Sequence, residues 1–187
     1  SELCPGHHHL RSVAEAVKAG VNQAGGTPVE FVTASQCATI SLGTHGVRFD
    51  TPTRDITSWE VEATAQIHML DGLVLISSCD KIVPGMVIGA LSFGHLPVIF
   101  APAGPMVSGL SNKEKARVRE DFAAGRIGRD ELLEAESAAY HAPGTCTFYG
   151  TANTNQMLME IMGLHLPGAS FVSPNTPLRD ALTAAAT

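Results

Sequence analysis

The stretch that decides the fold reads Gly72-Leu-Val-Leu-Ile-Ser-Ser-Cys-Asp-Lys-Ile-Val-Pro-Gly85. It begins with a nearly continuous apolar run, which is typical of a β-strand buried on both faces of a parallel sheet. Pro84 opens a helical segment that extends to about Phe93, and 97–101 is a second buried strand. A strand, a helix and a strand in this order predict parallel pairing through a right-handed crossover.

Further helices are predicted on both sides of this unit. Apolar residues at helical spacing predict a first helix from Leu10 to about Val21, ended by glycines. Ser111 and Glu114 form a capping-box pattern at the start of another helix. The remaining helices are expected over 55–70, 130–140, 151–162 and 177–186. Short strands are expected over 29–34 and 171–172. The segment 37–49 is expected to be a loop. The alternation predicts an α/β fold, a three-layer α/β/α arrangement with a mostly parallel sheet, in a single domain over 1–187.

Composition excludes several classes of function. The chain has 187 residues, 44% of them hydrophobic, and a net charge of -6, so it can bury one core and has no basic surface for nucleic acid. No apolar run approaches the roughly 20 residues that span a bilayer, and no secretory signal is visible. The four cysteines are far apart, which argues against a disulfide framework and for a reducing cytoplasm.

Two of these cysteines have the surroundings of a ligand. Cys79 and Cys146 each lie where an apolar run gives way to polar residues and glycines, before a predicted helix whose positive end favours the thiolate. Asp80 and Lys81 are costly to bury unless they pair or coordinate an ion, and an aspartate suits Mg²⁺. Because a buried cysteine is often inert, the residues alone leave both the metal-binding and the packing interpretations open.

Longer motifs resolve this choice. The chain contains Leu91-Ser-Phe-Gly-His-Leu-Pro97, Gly104-Pro-Met106, Ser111-Asn-Lys-Glu-Lys115 and Tyr140-His-Ala-Pro-Gly-Thr-Cys-Thr-Phe-Tyr-Gly-Thr-Ala-Asn-Thr-Asn-Gln156, besides Cys79-Asp-Lys-Ile-Val-Pro-Gly85. With these it resembles the dihydroxy-acid dehydratase/phosphogluconate dehydratase family, most closely the 6-phosphogluconate branch. The resemblance covers essentially the whole chain, but only the N-terminal part of a longer family member.

The resemblance implies that water is removed from 6-phospho-D-gluconate to give 2-dehydro-3-deoxy-6-phosphogluconate. Cys79 and Cys146 match Fe-S ligands, with a 4Fe-4S cluster favoured and 2Fe-2S left open. Asp80 and Lys81 match Mg²⁺ ligands, the lysine as a carbamate. A Lewis-acidic iron suits the loss of hydroxide, which is a poor leaving group. The catalytic base is expected in a C-terminal part, so we expect none in this chain, and the expected partners are a C-terminal domain or a second copy in a homodimer.

The chain also departs from the family pattern. Gly6 stands where a cysteine is expected, and Ala38 stands where the family places a metal-binding aspartate. Cys37, Cys4 and His9 are therefore weaker candidates for extra ligands, while His7, His8 and His9 together are expected to be solvated or to cap a helix. Two alternatives stay open: a dihydroxy-acid or aldonate dehydratase, and a non-catalytic cluster-binding or partner domain.

Overall fold

The computed structural model describes residues 3–36, 38–139, 142–146 and 152–187. The α-helices are Leu10–Gln23 (α1), Ala38–Ser41 (α2), Thr53–Ile67 (α3), Ile82–Leu91 (α4), Asn112–Ala123 (α5), Arg129–Ala139 (α6), Ala152–Ile161 (α7) and Pro177–Ala185 (α8). The strands are Leu73–Ser77 (β1) and Val98–Pro102 (β2), and short 3-10 helices cover Pro5–His7 and His45–Phe49.

The two strands are parallel neighbours joined by α4. Their register pairs Leu73 with Val98 and Ser77 with Pro102. The other edge of β2 is also engaged, because the Phe100 backbone N–H donates to the Leu164 carbonyl at 2.9 Å. The predicted α/β class and the parallel pairing through a helix are confirmed, with a two-stranded sheet in the described part of the chain.

The core lies between this sheet and the helices that pack on it. Leu75 and Phe100 from the strands, Val61 from α3, Val83 from α4 and Met159 from α7 are each exposed by 4% or less. Fully burying a side chain of this size stabilises the fold by about 1.5–3 kcal/mol. This shared core fixes the position of the β1 carboxyl end relative to α3 and α4.

Two glycines let α3 and α4 approach closely. A Cβ added at Gly85 would lie 2.8 Å from the Arg54 carbonyl oxygen, and one at Gly89 would lie 2.7 Å from that of Ser58. Gly85 and Gly89 are four residues apart and share one face of α4. The helix that follows Cys79 is therefore seated directly against α3.

The predicted strand over 29–34 is wrong, because this segment has no regular secondary structure. Side chains of α3 satisfy its backbone instead: Ala34 N–H donates to Glu60 Oε2 at 2.7 Å, and Thr57 Oγ1 donates to the Ala34 carbonyl at 3.1 Å. Backbone groups satisfied in this way need no partner strand. The expected loop over 37–49 contains, in its described residues, α2 and a 3-10 helix.

The predicted strand over 171–172 is also wrong. The Val172 carbonyl accepts from the buried Arg179 guanidinium, which also donates to the Ala169 carbonyl, so the segment is held as a turn. The other predicted helices are confirmed to within a few residues at each end. Across the described residues, no helix combines the length and the apolar character that a membrane crossing requires.

Candidate metal centre

The two cysteine loops meet beyond the carboxyl end of the sheet. The Ala103 N–H donates to the Ser77 carbonyl at 3.0 Å, which carries the strand pairing one residue further. Thr145 N–H then donates to the Gly104 carbonyl, and its own carbonyl accepts from Met106 N–H, both at 2.8 Å. The segment that ends in Cys146 is thus bound to the segment that follows β2, beside the end of β1.

The N-terminal segment packs against the same loop. Gly144 N–H donates to the Gly6 carbonyl at 2.7 Å, and a Cβ added at Gly6 would lie 2.6 Å from the Gly144 carbonyl oxygen. Gly144 itself has φ +125°, and a Cβ there would lie 2.5 Å from Met106 N. Position 6, where the resemblance predicts a cysteine, therefore borders the Cys146 loop, and a side chain there would displace that loop.

Cys79 is a half-buried thiol beside a carboxylate. Its Sγ donates to Asp80 Oδ1 at 3.2 Å. Burial, together with the charge and hydrogen bond of Asp80, raises the pKa of the Cys79 thiol to about 12. Cys146 also contributes to this shift, so the two sulfur groups lie within electrostatic reach of each other. Burial and Asp80 thus outweigh the helix end that was expected to favour the thiolate.

Asn153 ties the other cysteine loop to α7. Its Oδ1 accepts from Thr145 Oγ1 at 2.8 Å, and its Nδ2 donates to the Cys146 carbonyl at 3.1 Å. Asn153 and Thr145 are both buried. The sequence motif contains Asn153 but gives no reason to select it, since its role depends on the fold of the loop.

Lys81 bridges two carboxylates next to Cys79. Its Nζ lies 2.9 Å from Asp80 Oδ2 and 2.9 Å from Asp50 Oδ2. Burial alone would lower the pKa of Lys81, but the two carboxylates raise it above its ordinary value. Burial opposes the shift of Asp80 as well, yet hydrogen bonds from Lys81 and Cys79 lower its pKa. Sequence reasoning missed Asp50, which carries no motif and lies in a different segment from Lys81.

Two of the three consecutive histidines are buried at this end of the molecule. His7 Nε2 lies 2.8 Å from Ser78 Oγ, and His9 Nε2 lies 3.2 Å from the Ala103 carbonyl oxygen. Burial lowers the pKa of His7 to about 4 and also lowers that of His9. The expected solvated role is therefore wrong for His7 and His9, whereas His8 is exposed. His9 does stand at the N-cap position of α1, but its side chain makes no capping hydrogen bond there.

Cys4 and Cys37 are the two other cysteines that the sequence suggests as ligands. Cys4 is buried, with 5% of its surface exposed, and Cys37 lies outside the described residues. No three His, Cys, Asp or Glu side chains of the described ranges come close enough together to hold a metal ion. What the structure does bring together is Asp50, Asp80 and Lys81, whose oxygens could hold a hard cation if the lysine carried a carbamate.

An open groove of about 1130 Å³ borders this centre. It extends from His7 and Ser78 along α1 and across both strands, with apolar walls that include Val17 and Phe31. Cys79, Asp80 and Lys81 are not among its lining residues. The groove is therefore adjacent to the charged centre and distinct from it.

The sequence is similar to those of known proteins. A family model described as dihydroxy-acid/6-phosphogluconate dehydratase N-terminal matches residues 1–187. A phosphogluconate dehydratase of Rhizobium meliloti is 50% identical over 188 residues, which cover 100% of the chain and 31% of that protein. One of Pseudomonas aeruginosa is 56% identical, covering 86% of the chain and 25% of that protein. A dihydroxy-acid dehydratase of Ignicoccus hospitalis is 43% identical, covering 92% and 32%. The chain thus spans a third or less of the length of these relatives.

Proposed function

Because the chain belongs to the dihydroxy-acid/6-phosphogluconate dehydratase family, we propose that it forms the N-terminal metal-binding domain of a phosphogluconate dehydratase. This enzyme would convert 6-phospho-D-gluconate to 2-dehydro-3-deoxy-6-phosphogluconate and water, in the Entner–Doudoroff pathway of the cytoplasm. The two relatives with 50% and 56% identity carry the name phosphogluconate dehydratase, which supports this substrate. The proposed partner is a C-terminal domain that supplies the catalytic base, with a homodimer as the assembly.

One observation carries this proposal. The loop of Cys79 and the loop of Cys146 meet at the carboxyl end of β1, beside a lysine held between two carboxylates. The carboxyl ends of parallel strands are where ligands bind in such sheets. Soft thiolates and hard oxygens side by side suit two different metals, iron and magnesium.

Cys79 and Cys146 would hold the Fe-S cluster, which we propose to be 4Fe-4S, with its remaining ligation from outside these two residues. When bound, the cluster supplies a Lewis acid for the departing hydroxyl group. Cys79 must lose its proton to bind iron, although its surroundings raise the thiol pKa to about 12. Asp80 remains a carboxylate because its own pKa is lowered, so the thiol proton would be displaced to solvent as the metal binds.

Asp80 and Lys81 would hold Mg²⁺ beside the cluster. As an ammonium group Lys81 offers no lone pair, so it becomes an oxygen ligand only after carbamylation. The Asp80 carboxylate contributes a second anionic oxygen, and Mg²⁺ prefers such hard ligands. These side chains would fix the acid end of the substrate, whose carboxylate is drawn to the cation.

Anaerobic reconstitution tests the cluster. The chain is incubated with ferrous iron and sulfide, then assayed for bound iron, acid-labile sulfide and visible charge-transfer absorption. Cys79→Ser and Cys146→Ser should each lose most of this absorption, whereas the control Cys4→Ser should retain it. Equal absorption in all four proteins would refute the assigned ligands.

A chimera tests the substrate. The chain is joined to the C-terminal part of the Rhizobium relative and assayed anaerobically for keto-acid release. We expect turnover of 6-phosphogluconate and much less of a branched-chain dihydroxy acid or a non-phosphorylated aldonate. Preference for either competitor would reassign the substrate, and a chimera that binds a cluster without turning over any acid would favour the non-catalytic domain.

A further inference from the structure

We propose that Asp50 provides an anionic oxygen ligand to a divalent cation bound at Asp80 and Lys81, replacing the carboxylate that Ala38 lacks. The inference rests on the magnesium site of the proposed function, and it concerns a residue for which the sequence pattern predicts no role.

Asp50 is a buried carboxylate with an unused oxygen. Its side chain is 6% exposed, and its Oδ2 lies 2.9 Å from Lys81 Nζ. Its Oδ1 is buried without a hydrogen-bond partner. Leaving a charged oxygen unsatisfied in the interior is costly, and such atoms usually mark a missing partner. A cation beside Lys81 would supply that partner.

The backbone holds Asp50 in place. It follows the 3-10 helix His45–Phe49, and its N–H donates to the Val47 carbonyl at 3.2 Å. Its own carbonyl accepts from the backbone N–H and the hydroxyl of Thr53, at the start of α3. Because α3 is seated against α4, these contacts preorganise the carboxylate toward Lys81.

Charge balance favours a cation over a simple ion pair. Asp80 alone neutralises the Lys81 ammonium, so the second carboxylate leaves the group with an excess negative charge. Carbamylation joins the Lys81 nitrogen to carbon dioxide and releases two protons from the ammonium. Two carboxylates, one carbamate and one divalent cation then carry the same net charge as two carboxylates and one ammonium. A cation can therefore enter without adding net buried charge, which would otherwise be costly.

Manganese binding tests the inference without using activity. The chain is titrated with Mn²⁺ in bicarbonate buffer, and free Mn²⁺ is read from its electron paramagnetic resonance signal. Asp50→Asn should weaken binding by about tenfold or more, because the site loses a charged ligand. The control Asp55→Asn removes an equal charge from the exposed first turn of α3 and should leave binding unchanged. Circular dichroism checks that each variant is folded.

Two further variants separate the outcomes. Ala38→Asp alone should raise Mn²⁺ affinity by no more than about threefold, since Asp50 already supplies the charge. A tenfold gain from Ala38→Asp, or unchanged binding in folded Asp50→Asn, would overturn the inference. If Asp80→Asn weakens binding and Asp50→Asn does not, the magnesium site stands and the role of Asp50 fails. If the parent chain binds no Mn²⁺, both fail.

Discussion

Mild acid should destabilise the chain through His165, which is buried after α7. Its imidazole is 3% exposed, with Nδ1 3.0 Å from Ser170 Oγ and Nε2 buried without a partner. Burial lowers the pKa of His165 from 6.5 to about 4, and the negative charge of Glu160 offsets only part of this. The folded protein therefore resists protonation of a group that the unfolded chain protonates readily.

The sign and the size of the effect follow from this difference. Because the pKa is lower in the folded state, the stabilisation is complete above pH 6.5 and is lost as the pH falls toward 4. Each pKa unit corresponds to about 1.4 kcal/mol, so between about pH 7.5 and about pH 5 one such histidine removes about 2 kcal/mol from the free energy of unfolding. This is a substantial part of the roughly 5–15 kcal/mol that stabilises a typical domain.

Urea unfolding followed by circular dichroism measures the free energy of unfolding at each of the two pH values. His165→Gln keeps an amide that can reach Ser170 but cannot titrate, so this variant should lose about 2 kcal/mol less than the parent chain on acidification. Other buried histidines such as His7 titrate in both proteins, so their contributions cancel. His95→Gln, at an exposed imidazole, is the matched control.

Equal losses in the parent chain and in His165→Gln would refute the reasoning, because a buried neutral histidine must contribute to the difference. An effect as large in His95→Gln would mean that the substitution itself, rather than burial, produced it. A lower stability of His165→Gln at pH 7.5 is compatible with the argument, provided that the variant loses less than the parent chain on acidification, since only the pH-dependent part is diagnostic.

Three further predictions concern the core, the cysteine loop and a helix cap. Phe100→Ala should lower the free energy of unfolding by about 3–5 kcal/mol in urea titrations, since Phe100 is 1% exposed. Gly144→Ala places a Cβ 2.5 Å from Met106 N and should reduce iron bound after reconstitution, whereas Gly125→Ala, where φ is also positive but the space is open, should not. Ser111→Ala removes the capping box of α5 and should cost about 1 kcal/mol, and a thermal midpoint equal to that of the parent chain would contradict this.

The sequence predictions that the structure confirms depend on residues that lie close together in the chain. The apolar run of β1 and the capping box at Ser111 each specify local backbone geometry, and each lies where it was predicted. Pro84 lies in the first turn of α4, which begins two residues before the predicted start. The failed strand over 29–34 also follows from a local pattern. There the deciding contacts came from Glu60 and Thr57 on α3, which local propensity cannot anticipate.

By itself the sequence determined the β1–α4–β2 unit and the position of Cys79 at its strand end, because side-chain period and helix-start signals act over a few residues. Only the tertiary structure decided that Asp50 faces Lys81, that His7 contacts Ser78 and that Gly6 borders the Cys146 loop. These pairs come from segments far apart in the chain. Their meeting depends on how closely α3 packs on α4 and on how the loops cross the sheet end, and no local pattern encodes those distances.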